Sequence, residues 1–152
     1  MRGDIRNSII LITLLLVLSG FKIGKCFSNE EKCLPLWFHA VCMSLPEPHN
    51  IQRENLNGEG VILFVTFMDE TSLRDSSYIM IQESQMTKFS IDDWKCDSMI
   101  QKDGCTVEYG LKNGKHWRKD KRGRVYIYYD KVSSENKKMY DGILDSIRIV
   151  KQ

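Results

Sequence analysis

The residue types that most often carry out catalysis are scattered along this sequence. The three histidines, His39, His49 and His116, lie far apart, without the HExxH spacing or the paired cysteine cluster that indicates a zinc site. The acidic pairs Asp69–Glu70 and Asp92–Asp93 fall at expected strand ends, where solvated turn carboxylates are the better interpretation. The sequence therefore predicts no enzyme, and we expect no metal and no cofactor.

The sharpest local charge feature is the basic segment KHWRKDKRGR, residues 115–124. Its Lys and Arg residues surround Trp117, and Asp120 is its only acidic residue. Such a cluster can contact a sulfated glycan, an acidic lipid head group or an acidic protein. The simpler interpretation, which we prefer, is an exposed hairpin that carries solubilising charge.

The first 26 residues have the pattern of a secretory signal peptide. Two arginines precede an apolar run over residues 9–18, which is shorter than the ~20 residues that a membrane span needs. Cleavage after Gly20 would leave five cysteines, whereas cleavage after Cys26 would leave four, and an even number is usual in an oxidising compartment. We therefore expect a secreted, extracellular protein whose single domain spans residues 27–152.

Loss of residues 1–26 changes the charge balance of the chain. The quoted net charge of +2 becomes about −1, because 18 basic and 19 acidic residues remain. This balance favours neither nucleic acid nor a membrane as a partner.

The mature chain has the pattern of several strands followed by one helix. The run VILFVTFM, residues 61–68, is β-branched and aromatic, and its apolar residues occupy both faces. An Asn-Gly pair at 113–114 between strand-like flanks predicts a type I′ hairpin turn. Further strands are predicted at 78–82, 87–91, 105–109 and 124–129.

The last part of the chain has helical periodicity. Apolar residues recur at spacings of one, three and four from Ser133 to Val150, which predicts one amphipathic helix with Ser133 or Ser134 as its cap. The apolar stripe consists of Met139, Tyr140, Ile143, Leu144 and Ile147. The pattern is that of an antiparallel β domain with a late helix lying on it.

Three stretches together resemble the lipocalin family. LWFHAV offers Trp37 on a first strand, residues 60–91 resemble the second to fourth strands of the family, and residues 124–152 resemble its eighth strand and the following helix. The resemblance implies a mainly β fold, an antiparallel up-and-down β-barrel (a lipocalin-like calyx) with one C-terminal α-helix packed on it. It also implies a cavity inside the barrel, although side chains can fill a small barrel completely.

The resemblance assigns an inward-facing set that would contact a small hydrophobic molecule, with His39 and Tyr129 as its polar groups. The predicted cavity residues are Trp37, His39, Val61, Leu63, Val65, Phe67, Ile79, Ile81, Phe89, Ile91, Val107, Val125, Ile127 and Tyr129.

The cysteines of CLPLWFHAVC, residues 33–42, bear on this interpretation. If the segment is one extended strand at roughly 3.3 Å per residue, Cys33 and Cys42 are about 30 Å apart, far beyond the ~7 Å Cα limit for a disulfide. We therefore expect them to pair with Cys96 and Cys105 in some order, with Trp37 at the closed end of the barrel.

The sequence thus predicts a secreted carrier of a small hydrophobic ligand, without catalysis. The alternative is a secreted module that binds an acidic protein or a sulfated glycan through the basic segment.

Overall fold

The computed structural model describes residues 29–67, 77–84 and 94–152. The predicted signal peptide, the predicted strand at 87–91 and the cavity positions Phe89 and Ile91 lie outside these residues. In the described ranges, no helix has the length and apolar character needed to cross a membrane.

The described residues form ten strands and one helix. They are β1 (Asn29–Pro35), β2 (His39–Pro46), β3 (His49–Asn55), β4 (Gly60–Phe67), β5 (Tyr78–Ser84), β6 (Ser98–Lys102), β7 (Cys105–Lys112), β8 (Lys115–Arg122), β9 (Val125–Val132), α1 (Lys137–Asp145) and β10 (Arg148–Lys151).

The strands form two antiparallel sheets. Seven strands pair in the order β3-β4-β5-β9-β8-β7-β6, and three pair in the order β1-β2-β10. The prediction of a mainly β, antiparallel fold with a late helix is confirmed. Strand β5 pairs with β9 and not with β6, so the order departs from an up-and-down barrel, and the described strands do not close into a barrel.

The predicted Asn-Gly hairpin is present between β7 and β8. Asn113 and Gly114 have φ values of 53° and 73°, the two positive angles that a type I′ turn requires. Asp103 and Gly104 join β6 to β7 with φ values of 52° and 74°. These short turns keep β6, β7, β8 and β9 as consecutive neighbours.

One face of the seven-stranded sheet carries the hydrophobic core. The register places Ile81 between Leu63 on β4 and Ile127 on β9, and helix α1 and strand β2 cover these residues. Buried members of the core include Val61, Leu63, Val65, Phe67, Ile79, Ile81, Val125, Ile127 and Tyr129 of the large sheet, Val41, Met43 and Leu45 of β2, and Tyr140, Ile143 and Leu144 of α1.

The opposite face of the same sheet has a smaller aromatic cluster. Trp117 is buried there with Met80 and Tyr128, and it lies against the backbone of Gly110. A Cβ atom added to Gly110 would come within 2.4 Å of the Trp117 indole nitrogen, so this position requires glycine.

The predicted helix from Ser133 to Val150 is too long at both ends. Helix α1 follows Asn136, so neither Ser133 nor Ser134 occupies the N-cap position. At the other end the chain leaves the helix at Ser146 and forms β10 against β2. Backbone hydrogen bonds with β2 replace the helical ones, which explains why periodicity alone placed the end wrongly.

The predicted disulfide pattern is wrong. Cys33 and Cys42 form a disulfide, with a Cα–Cα distance of 4.0 Å, while Cys96 and Cys105 are free. The segment is not one strand, because β1 ends at Pro35, residues 36–38 turn, and β2 runs back so that Cys33 faces Cys42. The error came from assuming an extended chain through this turn.

A buried carboxylate holds this turn against the large sheet. Glu83, at the end of β5, accepts hydrogen bonds from the backbone N–H groups of Trp37 (2.9 Å), Phe38 (2.9 Å) and His39 (3.2 Å). Its other oxygen lies 2.5 Å from Nδ1 of His39, and only 1% of the side chain is exposed. Glu83 therefore ties the three-stranded sheet to the seven-stranded one.

These bonds also determine the charge state of Glu83. Burial by itself would raise the pKa of this carboxyl group, but the hydrogen bonds with the His39 side chain and with the amides of Phe38, Trp37 and His39 outweigh it. The pKa of Glu83 is consequently below its ordinary value of 4.5. The ionised form is the one that stabilises the fold.

We predict that Glu83→Gln lowers the free energy of unfolding by about 2–3 kcal/mol at neutral pH, since hydrogen bonds to a charged group are lost. The contribution of Glu83 is complete above its unfolded-state pKa and disappears as the pH falls through the lower folded-state pKa. Urea denaturation at pH 7 and at pH 3 measures both effects. Glu54→Gln, at an exposed position, is the control, and equal stability losses for the two variants at pH 7 would contradict this role.

Candidate functional site

A pocket of about 890 Å³ lies between the β6-β7-β8 end of the large sheet and the segment that runs from the end of α1 into β10. Its apolar wall consists of Ile100, Val107, Ile147 and Ile149. Four basic side chains, Lys102, Arg118, Arg122 and Arg148, and two acidic ones, Asp103 and Asp145, also line it. Its lining therefore combines an apolar wall with an excess of positive charge.

Strand register brings the sheet residues of the pocket together. Ile100 pairs with Val107, which pairs with Asp120, and Lys102 pairs with Cys105. Arg118, Asp120 and Arg122 alternate along β8 and so share one face of the sheet, as residues two apart in a strand do. This face is apolar on β4, β5 and β9 and becomes charged on β8.

Arg118 and Asp120 form a buried ion pair below the pocket. Nε and Nη2 of Arg118 donate to the two carboxylate oxygens of Asp120 at 2.7 and 2.9 Å, and Asp120 is fully buried. Arg118 also donates to Asp145 (2.8 Å) and Asp141 (3.4 Å) of α1. Burial would lower the pKa of Arg118, but Asp120 and Asp145 raise it above its ordinary value, so the guanidinium stays charged.

Arg122 joins the same carboxylate to the end of the helix. Its Nη2 donates to Asp120 and to the carbonyl of Leu144, both at 3.3 Å, and its Nη1 donates to the carbonyl of Ile147 at 2.6 Å. Carbonyls at a helix C-terminus lack partners within the helix, and a cation there also complements the helix dipole. The Nε of Arg122 is buried and has no hydrogen-bond partner among the described residues.

This arrangement corrects the interpretation of residues 115–124 as an exposed, solubilising hairpin. Trp117, Arg118, Lys119 and Asp120 are all buried, and Lys119 pairs with Glu108 at 2.9 Å. Most of the central charges of the basic segment therefore serve internal ion pairs.

Tyr129 was predicted to offer its hydroxyl group to a ligand, but that group has an internal partner. It donates to Asp141 at 2.8 Å, and Lys137 also donates to this carboxylate from one turn earlier in α1. Burial raises the pKa of Tyr129 above its ordinary value. Burial would also raise the pKa of Asp141, but Lys137 and Tyr129 together lower it.

The free thiol of Cys105 lies in the pocket wall. Burial, and next the charge of Asp120, raise the pKa of this thiol above 9.0. Thiolates are the reactive form of cysteine, so Cys105 is a weakly polar wall residue at neutral pH and not an activated nucleophile. Cys96 is exposed and does not line the pocket.

Of the predicted cavity residues that the structure describes, Val107 alone lines this pocket. Those on β4, β5 and β9 lie together, as predicted, on one face, where they pack against α1 and β2. Trp37 is half-buried in the turn of residues 36–38, and His39 contacts Glu83.

The sequence reasoning missed Ile100 and Lys102, and it placed the residues after α1 within the helix. It named Arg122 only as a member of the basic segment 115–124. The period-two alternation of Arg118, Asp120 and Arg122 is a signal that could have found the charged face.

The three histidines contact different parts of the fold. His39 contacts Glu83, His49 contacts the carbonyl of Pro46, and His116 contacts Ser134. No group of His, Cys, Asp or Glu within the described ranges is arranged to hold a metal ion. No protein-family model, curated protein or solved structure matches this chain.

We predict that Asp120→Asn lowers the free energy of unfolding by about 3–5 kcal/mol, because it leaves the buried Arg118 without its main counter-charge. Urea denaturation followed by tryptophan fluorescence measures the loss. Asp103→Asn is the matched control, since Asp103 is exposed in a turn at positive φ that asparagine tolerates, and we expect a change within about 0.5 kcal/mol. A similar small change for Asp120→Asn would show that the ion pair does not position α1.

Proposed function

We propose that the protein is a secreted, non-enzymatic binding protein, and that its ligand has an apolar part and a negatively charged group. The observation that carries this proposal is the pocket between β7 and β10, whose volume of about 890 Å³ falls within the ~300–1,000 Å³ typical of ligand sites. The predicted carrier activity is retained, but its site moves from the barrel interior to this pocket.

The apolar wall supports binding of an apolar ligand part. Ile100 is 51% exposed on β6, and Ile147 and Ile149 face it from the other side of the pocket. Covering Ile100 and the half-buried Ile149 removes apolar area from water, which contributes roughly 25 cal/mol per Å². Ile147 is already buried, with 4% of its surface exposed, and adds little.

The charges support binding of an anionic group. Asp120, Asp141 and Asp145 neutralise Arg118, and Arg122 is held by Asp120 and by two backbone carbonyls. Lys102 and Arg148 remain to contact a ligand. Lys102 has no ion-pair partner in the described part of the chain. Arg148 pairs with Glu31, but both side chains are more than half exposed, and such a pair contributes little stability. An anion in the pocket can therefore compete with Glu31 for Arg148.

A lipocalin-like origin is part of this proposal. It is supported by two features: α1 follows shortly after β9, and Tyr140, Ile143 and Leu144 of α1 pack against the core face of the large sheet. The basic segment contributes to the pocket through Arg118 and Arg122. A separate glycan-binding or protein-binding surface at 115–124 has no further support, because its central residues are buried.

We predict saturable binding of a dansyl-labelled undecanoate, detected by dansyl fluorescence. Lys102→Glu should weaken this binding at least tenfold, and the uncharged alcohol of the same length should compete poorly, because both changes remove the attraction between charges. Higher salt should weaken binding of the acid more than that of the alcohol.

Lys121→Glu is the control for charge reversal. Lys121 is exposed on β8, but its side chain lies over the ring of Tyr126 and does not line the pocket. Equal affinities of the two variants for the dansyl probe would contradict the proposed site.

A further inference from the structure

The pocket lies between two edge strands. On one side Ile100 and Lys102 belong to β6, which pairs only with β7 in the described structure. On the other side Arg148 and Ile149 belong to β10, which pairs only with β2. Among the described residues, each of these strands therefore has one edge with unpaired backbone N–H and C=O groups.

Strand β6 lacks the features that usually protect a sheet edge. All five of its residues are exposed, including Met99 at 61% and Ile100 at 51%. It contains no proline, and its single charge, Lys102, is at its end. Natural edge strands are commonly protected by charges, prolines or bulges, because an open edge pairs readily with another strand.

The other edge of the large sheet differs in this respect. Strand β3 carries Arg53 and Glu54 side by side, and the Arg53 guanidinium donates to the carbonyls of Pro35 and Leu36. Of the two edge strands of this sheet, β3 has such protection and β6, in the described structure, does not.

We infer that an extended segment of an acidic partner protein binds as an added strand on β6 and directs alternate side chains into the pocket. The inference rests on the proposed function, since it takes the pocket as the ligand site and names the class of ligand. In strand addition, main-chain hydrogen bonds supply affinity, and pockets for alternate side chains supply specificity.

The face of β6 determines which side chains the partner needs. Ser98, Ile100 and Lys102 alternate along the strand, and Ile100 and Lys102 face the pocket. An antiparallel strand centred on Ile100 places an apolar residue opposite Ile100 and an acidic residue opposite Lys102, near Arg122. The partner segment therefore alternates acidic and apolar residues at every second position.

A peptide accounts for the exposed apolar residues and the unpaired backbone groups of β6 better than a lipid-like ligand does. A fatty acid would cover Ile100 but would leave the backbone groups of β6 to water. An added strand covers Ile100, pairs those groups, and supplies a neighbour for Met99 on the outer face.

The test uses the peptide acetyl-Thr-Glu-Thr-Val-Thr-Glu-Thr-amide and the full mature chain. Its Glu, Val and Glu residues lie on one face, and the spacing is the same in both directions. Two isomers each carry two N-methyl groups, one isomer on the amide nitrogens of the two Glu residues and the other on those of the two threonines between them. Each isomer therefore blocks hydrogen bonds along one edge of the peptide. Titration calorimetry gives affinity, and amide hydrogen exchange of residues 98–102 reports strand pairing.

We expect the unmethylated peptide to bind and to slow exchange of β6 amides at least tenfold. At least one methylated isomer should bind at least tenfold more weakly than the unmethylated peptide. The Lys102→Glu variant should bind the unmethylated peptide more weakly, whereas the Lys121→Glu variant should bind it as the unmodified protein does. The inference is overturned if both methylated isomers bind as tightly as the unmethylated peptide. It is also overturned if peptide binding leaves the hydrogen exchange of the β6 amides unchanged.

The other outcomes separate this inference from the proposed function. If the dansyl-labelled undecanoate binds and the peptide does not, the pocket is a small-molecule site and the inference fails alone. If neither binds, both fail. Exchange protection of β6 that rises with protein concentration in the absence of peptide would assign the edge to a second copy of this chain, which also overturns the inference.

Discussion

The structure around the pocket depends on one buried carboxylate. Asp120 is fully inaccessible to water and is held by Arg118 and Arg122. A buried charge without such partners would cost several kcal/mol, so the two guanidinium groups must stay close to it. Their remaining donors reach Asp145 and the carbonyls of Leu144 and Ile147, which places the end of α1 against β8. One wall of the pocket follows from this constraint.

A second buried carboxylate determines the position of β10, which continues this wall. Glu83 holds the turn between β1 and β2, and β10 takes its position from its pairing with β2. The two sheets thus depend on charge neutralisation at two places, in addition to the apolar core between them. Neither sheet has a further strand beside β6 or β10 in the described ranges, and the gap between these two strands holds the apolar and basic residues of the candidate site.

Local patterns predicted the parts of the fold that local physics determines. The Asn113–Gly114 turn follows from backbone preference, whereas the core-facing residues of β4, β5 and β9 were assigned through the lipocalin resemblance. Three features required knowledge of distant partners. The Cys33–Cys42 disulfide depends on a turn that Glu83 stabilises from 44–46 residues away in the sequence. Helix α1 ends earlier than predicted because β10 pairs with β2. The arginines of β8 are buried because α1 supplies carboxylates to them. The candidate site lies among these features, so its residues were mostly missed.

We propose that the ligand site is the pocket beside β6 and not the barrel interior that the lipocalin resemblance implied. Intermolecular nuclear Overhauser effects between the dansyl-labelled undecanoate and methyl groups of the protein test it directly. We expect contacts to the methyl groups of Ile100, Ile147 and Ile149. Contacts to Leu63, Ile81 and Ile127 instead would place the ligand in the core of the large sheet and rule out the pocket as its site.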